Sequence, residues 1–163
     1  MKEKESDLQS LKESYSVLEK KYKLPSFSEL NEDFDIEKLQ ERETELLLKS
    51  VRRVIVEKMA NVVRFLELLL NPSEGPTPLF MYAILKNINQ DVRKEIEDLY
   101  KDLSKVELNS LSLDIIYSEK EEAQFLCEAF KKWSKSKLKL KEITNKLGFS
   151  WAKEKQADRN YLG

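Results

Sequence analysis

The stretch VRRVIVEKMANVVRFLELLL, residues 51–70, decides the fold. Placed at helical intervals, its apolar residues and those of the preceding turn cover about half of a helix circumference. So wide an apolar face indicates neighbours on two or three sides, as expected for the central helix of a helical protein. The face comprises Leu47, Val51, Val54, Ile55, Met59, Val62, Val63, Phe65, Leu66, Leu69 and Leu70. We predict that this helix begins at Ile36, with Asp35 as its cap, and ends near Leu70.

Two cationic residues, Arg52 and Lys58, fall inside this apolar arc. A partly buried arginine needs a carboxylate or carbonyl partner, or it reaches out to water. A ligand-binding arginine in the core of a bundle would have the same sequence pattern. The pattern therefore indicates possible buried charge at both residues, and it favours structural pairing or snorkelling over ligand binding.

The segments before and after the central helix are also helical in pattern. A stripe with spacings of three and four predicts a first helix within residues 1–23, formed by Leu8, Leu11, Tyr15, Leu18 and Tyr22. Ser26, just after Pro25, is placed to cap a short turn. NPSEGPTPLF, residues 71–80, lacks the lysine of a phosphate-binding loop and is interpreted as a turn. LFMYAILKNI, residues 79–88, is apolar nearly all round and predicts a short buried helix.

The second half of the chain contains one ambiguous segment. A helix is predicted from the stripe Val92, Ile96, Leu99, Leu103 and Val106. SLSLDIIY, residues 110–117, fits a strand or a helix, but a lone strand cannot satisfy its backbone groups. We therefore expect continued helix or an irregular connector there. Ser118 and Glu121 match a capping box that opens the last helix, and Gly148 is placed to end it.

These elements predict an all-α fold, an antiparallel helical bundle with two long helices and two or three shorter ones. The long helices are placed at about 36–70 and 119–147. Residues 1–150 form a single helical domain, in which 1–23 either packs on the core or is a detachable N-terminal helix. Residues 151–163 are predicted to be a polar C-terminal tail.

The composition excludes several kinds of catalytic and metal site. The 163 residues contain no histidine, so no Ser-His-Asp triad, Cys-His pair or His-ligated zinc can form. Cys127 is the single cysteine, and its apolar neighbours favour an inert buried thiol. A calcium loop that begins at Asp33 fails at Lys38 and Thr44. We therefore expect no enzyme activity, no metal and no cofactor, and we identify no small-molecule ligand.

Charge is distributed unevenly along the chain. Residues 131–163 contain 10 Lys and Arg against 3 Asp and Glu, whereas the rest of the chain contains 19 against 27. Lys132, Lys135 and Lys139 share one face of the predicted last helix and form a candidate basic binding face for a phosphate backbone. The alternative, a solvated helix face beside acidic neighbours, is favoured because no arginine accompanies these lysines.

The N-terminal segment MKEKESDLQS is polar and lacks the apolar core of a signal peptide. The longest uncharged apolar run, PLFMYAIL, is far shorter than a membrane span. We therefore expect a cytoplasmic protein without a membrane partner.

The segments LPSFSELNEDFDIEKL and VRRVIVEKMANVVRFLELLL resemble small uncharacterised all-helical archaeal proteins. The resemblance covers about Leu24 to Trp151 and rests on pattern. It implies an all-helical fold and brings no activity, ligand or site residue.

The leading hypothesis is a non-enzymatic helical protein that acts through a protein partner or as a homo-oligomer. Heptad-like stripes, a polarised charge distribution and the lack of a catalytic constellation favour it. The alternative is an accessory nucleic-acid-binding protein that uses the lysine-rich segment 131–141.

Overall fold

The computed structural model describes residues 2–41, 46–72, 84–85 and 88–160, and the side chains of residues 6–39, 46–72, 84–85 and 88–148. Every element in these ranges is helical and none is a strand, which confirms the predicted all-α class. The elements are α1 (Lys2–Tyr22), α2 (Phe27–Phe34), a 3-10 helix (Ile36–Glu41), α3 (Leu47–Leu70), α4 (Gln90–Ile115) and α5 (Glu119–Asn160).

The central helix α3 is shorter than predicted. It begins at Leu47, and the prediction that it begins at Ile36 was wrong. Asp35 is the reason, because it adopts the left-handed conformation, with φ 54° and ψ 44°, and closes α2 instead of opening α3. Its backbone N–H donates to the carbonyl of Asn31 at 2.9 Å, which is a typical helix C-terminus. The predicted end at Leu70 is confirmed.

The short helix α2 is fixed by a complete capping box. The backbone N–H of Glu29 donates to Ser26 Oγ at 3.3 Å, and the backbone N–H of Ser26 donates to Glu29 Oε2 at 2.9 Å. The predicted cap at Ser26 is therefore confirmed, although it opens an eight-residue helix and not a single turn. α2 buries Leu30 and Phe34, and the Phe34 ring packs against Trp133 with a centroid distance of 5.5 Å.

The core lies between α3, α4 and α5, which pack against one another pairwise. Most of the fully buried apolar side chains come from α3 and α4, and they include Ile55, Met59, Leu66, Ile96, Leu99 and Leu103. α1 packs on the 3-10 helix and on α5. Its Tyr15 is fully buried and donates its hydroxyl hydrogen to the carbonyl of Pro25 at 2.7 Å. Burial raises the pKa of this hydroxyl well above its usual range.

The prediction that the last helix ends at Gly148 was wrong. α5 continues through this residue to Asn160. Gly148 has a helical backbone and no positive φ, so it does not act as a stop signal. With 42 residues, α5 is about 63 Å long. The predicted polar tail is therefore helical over residues 151–160, and residues 161–163 lie outside the described part.

The ambiguous segment 110–117 is resolved as continued helix up to Ile115. Most of the predicted turn at 71–80 and of the predicted buried helix at 79–88 lies outside the described residues. Asn71 closes α3, with its N–H donating to the carbonyl of Glu67 at 2.8 Å. Ile84, Leu85 and Ile88 are partly buried against the core.

Candidate functional site

One end of the molecule brings together the start of α3, the end of α4 and the start of α5. Arg52 of α3 is fully buried there. Its Nε donates to Oε2 of Glu122 at 2.8 Å, and its Nη2 donates to Oδ1 of Asp114 at 2.7 Å. Its Nη1 donates to the carbonyl of Ser110 at 2.9 Å and also contacts the Ser110 hydroxyl. Arg52 thus joins three helices through one guanidinium group.

The charges at this junction stabilise one another. Burial alone would lower the pKa of Arg52, but hydrogen bonds to Asp114 and Glu122 outweigh burial and raise it. The hydrogen bond from Arg52 holds the pKa of Asp114 below its usual range, against the opposing effect of burial. Arg53 and Lys49, at 3.6 and 3.5 Å from Asp114 Oδ1, act in the same direction. The guanidinium of Arg52 is therefore held in its charged form.

The arrangement supports structural pairing of Arg52 over ligand binding. Each nitrogen of its guanidinium group donates to an acceptor among the described residues, and the side chain is fully buried, which leaves little access for a substrate anion. Glu122 is equally buried, but its Oε1 accepts no hydrogen bond within the described residues. In this ion pair Arg52 is well hydrogen-bonded, whereas Glu122 has one oxygen without a donor in the described part of the chain. Such a pair stabilises a fold little more than apolar residues of similar volume in the same place would.

α1 adds a polar contact beside this junction. Lys21 Nζ and Tyr22 Oη donate to Oε1 of Glu119, at 2.8 and 2.6 Å. These hydrogen bonds lower the pKa of Glu119, and the one from Lys21 has the larger effect. The contact attaches the C-terminal end of α1 to the first turn of α5.

The second candidate buried charge, Lys58, is exposed, so it is not a buried charge, and its position fits the snorkelling that the sequence pattern allowed. Its Nζ contacts the backbone carbonyl of Asp33 and lies 5.9 Å from the ring centroids of Phe34 and Trp133. The aliphatic part of a lysine can follow an apolar surface while its ammonium group stays in water, and this explains why Lys58 fits the apolar arc. Lys58 borders a groove of about 340 Å³ between the 3-10 helix and α3.

The candidate basic face lies on α5, where Lys135 and Lys139 are exposed and Lys132 is half-buried. Carboxylates from other helices approach the same stretch of α5. Lys137 Nζ lies 2.7 Å from Asp33 Oδ1, and Lys146 Nζ lies 2.6 Å from Glu95 Oε2. Lys139 itself borders a pocket of about 210 Å³ that is also lined by Glu95, Asp98, Glu142 and Ile143. This face therefore carries mixed charge.

An exposed apolar surface on the side of α4 that faces away from Arg52 was not predicted from the sequence. Five large apolar side chains between Leu108 and Tyr117, at the end of α4 and in the connector to α5, are exposed, and we call them the outer patch. The exposed fractions are 66% for Leu108, 60% for Leu111, 81% for Ile115, 73% for Ile116 and 38% for Tyr117. Meanwhile the inward face of the same turns presents Ser110 and Asp114 to Arg52. The last turns of α4 therefore place polar groups beside Arg52 and large apolar side chains in solvent, while Leu113 packs partly against the core.

A signal for the outer patch is present in the sequence. The buried stripe of α4 runs through Leu99, Leu103 and Val106, and the same spacing continues it to Ser110. This register places Leu111 and Leu108 off the buried face. Extending the stripe past Val106 would have predicted the exposed apolar side chains.

Within the described residues, no group of three or more His, Cys, Asp or Glu side chains is placed to hold a metal ion. No described helix combines the length and the apolar character that crossing a membrane requires. Comparisons of this chain with protein-family models, with curated proteins and with solved structures gave no match.

Proposed function

We propose that this chain is a non-enzymatic helical protein that works by protein–protein contact through the outer patch. The observation that carries the proposal is the exposure of five large apolar side chains between Leu108 and Tyr117. Together they expose on the order of 500 Å², which is near the upper end for the largest apolar patch of a monomeric protein. The largest apolar patch of a protein is often functional, and contact with another protein is one such function.

The inward face of α4 supports this interpretation. A fold selected for stability alone could place Leu111 and Ile115 inward, since apolar residues often replace a buried ion pair at no cost. Here the inward positions carry Ser110 and Asp114, which bind Arg52. Exposing the apolar residues therefore does not stabilise the fold. Contact with another protein would explain why they are exposed.

We also propose that the helices form an antiparallel bundle. The connector between α4 and α5 is only three residues long, from Ile116 to Ser118. Short connections of this kind join antiparallel neighbours in helical bundles. This architecture presents the outer patch at a corner of the bundle, where a partner can approach it.

The test is a capture experiment at low salt with three immobilised baits: the wild-type chain, Leu111→Glu and Leu138→Glu. Leu138 is the matched control, because it is 67% exposed and lies on α5 outside the outer patch. We expect proteins, including added copies of this chain, to be retained by the wild type and by the Leu138 variant, and to be lost from the Leu111 variant. Equal retention on all three baits would contradict the proposal.

A second candidate function is binding of nucleic acid by Lys132, Lys135 and Lys139. The exposure of Lys135 and Lys139 favours it, and the carboxylates beside them, such as Glu95 and Glu142, weigh against it. We expect a salt-dependent mobility shift of DNA or RNA if this function exists, and its loss when the three lysines become Glu. No shift at low salt would end this alternative.

A further inference from the structure

We infer that the occupant of the outer patch is a second copy of this chain, bound through a two-fold axis that sets the two α4 helices antiparallel. The inference rests on the proposed function and names its partner. Three properties of the outer patch carry it: its helical spacing, its size and the charges at its two ends.

The spacing of the outer patch suits a helix that packs on its own copy. Leu108, Leu111 and Ile115 are separated by three and four residues, which is the spacing of a helix–helix seam. The midpoint of this seam lies beside Leu111. An antiparallel two-fold pair therefore sets Leu108 against the partner's Ile115, and it places the two copies of Leu111 at the axis.

The size of the outer patch fits a homodimer at the lower limit of stable interfaces. Two patches, each on the order of 500 Å², bury about 1,000 Å² in total when they face each other. This is about the smallest total area that a specific interface buries. The five residues of the patch are uncharged, so a self-complementary contact brings no like charges together at its centre. We expect a dimer that dissociates on dilution.

The charges at the two ends favour the antiparallel orientation. Lys101 and Lys105 are exposed on the α4 turns before Leu108, and the acid between them, Asp102, lies on the far side of the helix. After Tyr117, the first turn of α5 carries the exposed acid Glu121 beside the exposed Lys120, and Glu119 is already paired with Lys21. An antiparallel pair brings Lys101 and Lys105 of one copy toward Glu121 of the other, whereas a parallel pair sets the two lysine pairs beside each other.

The first part of the test is sedimentation equilibrium from low to high micromolar concentration. We expect the wild type and Leu138→Glu to approach the mass of two chains. For Leu111→Glu we expect the dissociation constant to rise at least about tenfold, because two carboxylates then meet at the axis. Circular dichroism and the urea midpoint at low concentration show whether each variant is folded.

The second part is disulfide trapping in a Cys127→Ser background, which removes the native thiol. Disulfides form only when the Cα atoms approach within about 7 Å. We expect Leu111→Cys to form a linked dimer, and Ile115→Cys to form one only when it is mixed with Leu108→Cys. Self-linking of Ile115→Cys alone, without the mixed pair, would indicate a parallel pair and overturn the inferred geometry.

The two proposals fail in different ways. A wild type that keeps the mass of one chain and gives no Leu111→Cys disulfide overturns the homodimer. If capture of other proteins is then still lost with Leu111→Glu, the proposed function holds with a different partner. If capture is also insensitive to Leu111→Glu, both proposals are wrong.

Discussion

The inward and outward faces of the last turns of α4 differ in polarity and in burial. The inward face carries Ser110 and Asp114, which bind the buried guanidinium of Arg52. The outward face carries Leu108 and Leu111, which are exposed. The difference teaches that a buried charge binds the inward polar groups of α4 at this end, and that the exposed Leu108 and Leu111 do not contribute to the core.

The largest expected effect comes from breaking the inward face. Arg52→Met removes the partner of Glu122 and leaves a buried carboxylate without compensation. We expect the free energy of unfolding in urea to fall by about 3–5 kcal/mol. The control is Arg53→Met, because Arg53 is exposed and lies near the same Asp114, and we expect it to cost less than about 0.5 kcal/mol. Equal losses in both variants would show that burial does not govern the contribution of Arg52.

The second prediction compares an inward with an outward leucine on α4. Leu103 is fully buried, so Leu103→Ala should lower the free energy of unfolding by about 2–5 kcal/mol. Leu111→Ala should change it by less than about 0.5 kcal/mol at a protein concentration where the chain is monomeric. Chemical denaturation of the two variants under the same conditions provides the measurement. A loss above 2 kcal/mol for Leu111→Ala would place Leu111 in the core and remove the outer patch.

The third prediction concerns acid pH and the inward face. The pKa of Asp114 is lowered in the folded chain by the hydrogen bond from Arg52. Its contribution is therefore complete above the ordinary aspartate pKa of about 3.9 and is lost as pH falls through the lowered folded value. Because Asp114 is partly exposed, we expect Asp114→Asn to cost about 1 kcal/mol or less at neutral pH.

Urea unfolding of the wild type and of Asp114→Asn between neutral pH and pH 3 measures this contribution. The difference between them should shrink as pH falls below about 4. A difference that is constant over the whole range would mean that the charge of Asp114 does not stabilise the fold.

The smallest expected effect comes from Gly148→Ala, a substitution in α5 that lies outside the inward and outward faces of α4. Gly148 lies within α5, has no positive φ, and a Cβ added there meets no other atom within 4 Å. Gly148→Ala should therefore raise the free energy of unfolding by about 0.5–1 kcal/mol through helix propensity alone. A destabilised variant would show that α5 is not helical at this position.

The sequence predicts the helices well because helical periodicity depends on residues three and four positions apart. The stripes at Leu11 and Tyr15, and at Ile96 and Leu99, mark buried faces in the structure. The capping box at Ser26 was also predictable, since both of its hydrogen bonds join residues three positions apart.

The remaining features depend on contacts between distant residues, and the sequence does not show them. Asp35 adopts a left-handed conformation that its own side chain does not require, so the start of α3 was misplaced. Arg52 and Lys58 have the same sequence pattern, yet only Arg52 meets carboxylates, and these lie 62 and 70 residues away along the chain. The outer patch was missed because residues 110–117 were weighed only as strand, helix or connector, and the stripe that ends at Val106 was not extended to show which face they occupy.

The most direct test of the account measures association and stability on the same Leu111→Glu protein. Sedimentation equilibrium gives its mass at high micromolar concentration, and urea unfolding at low concentration gives its free energy of unfolding. We predict the mass of one chain, where the wild type approaches two, with a free energy of unfolding within about 0.5 kcal/mol of the wild type. A variant that loses several kcal/mol of stability, or that has the same mass as the wild type at every concentration, would contradict the claim that the outward face of α4 serves association and not the fold.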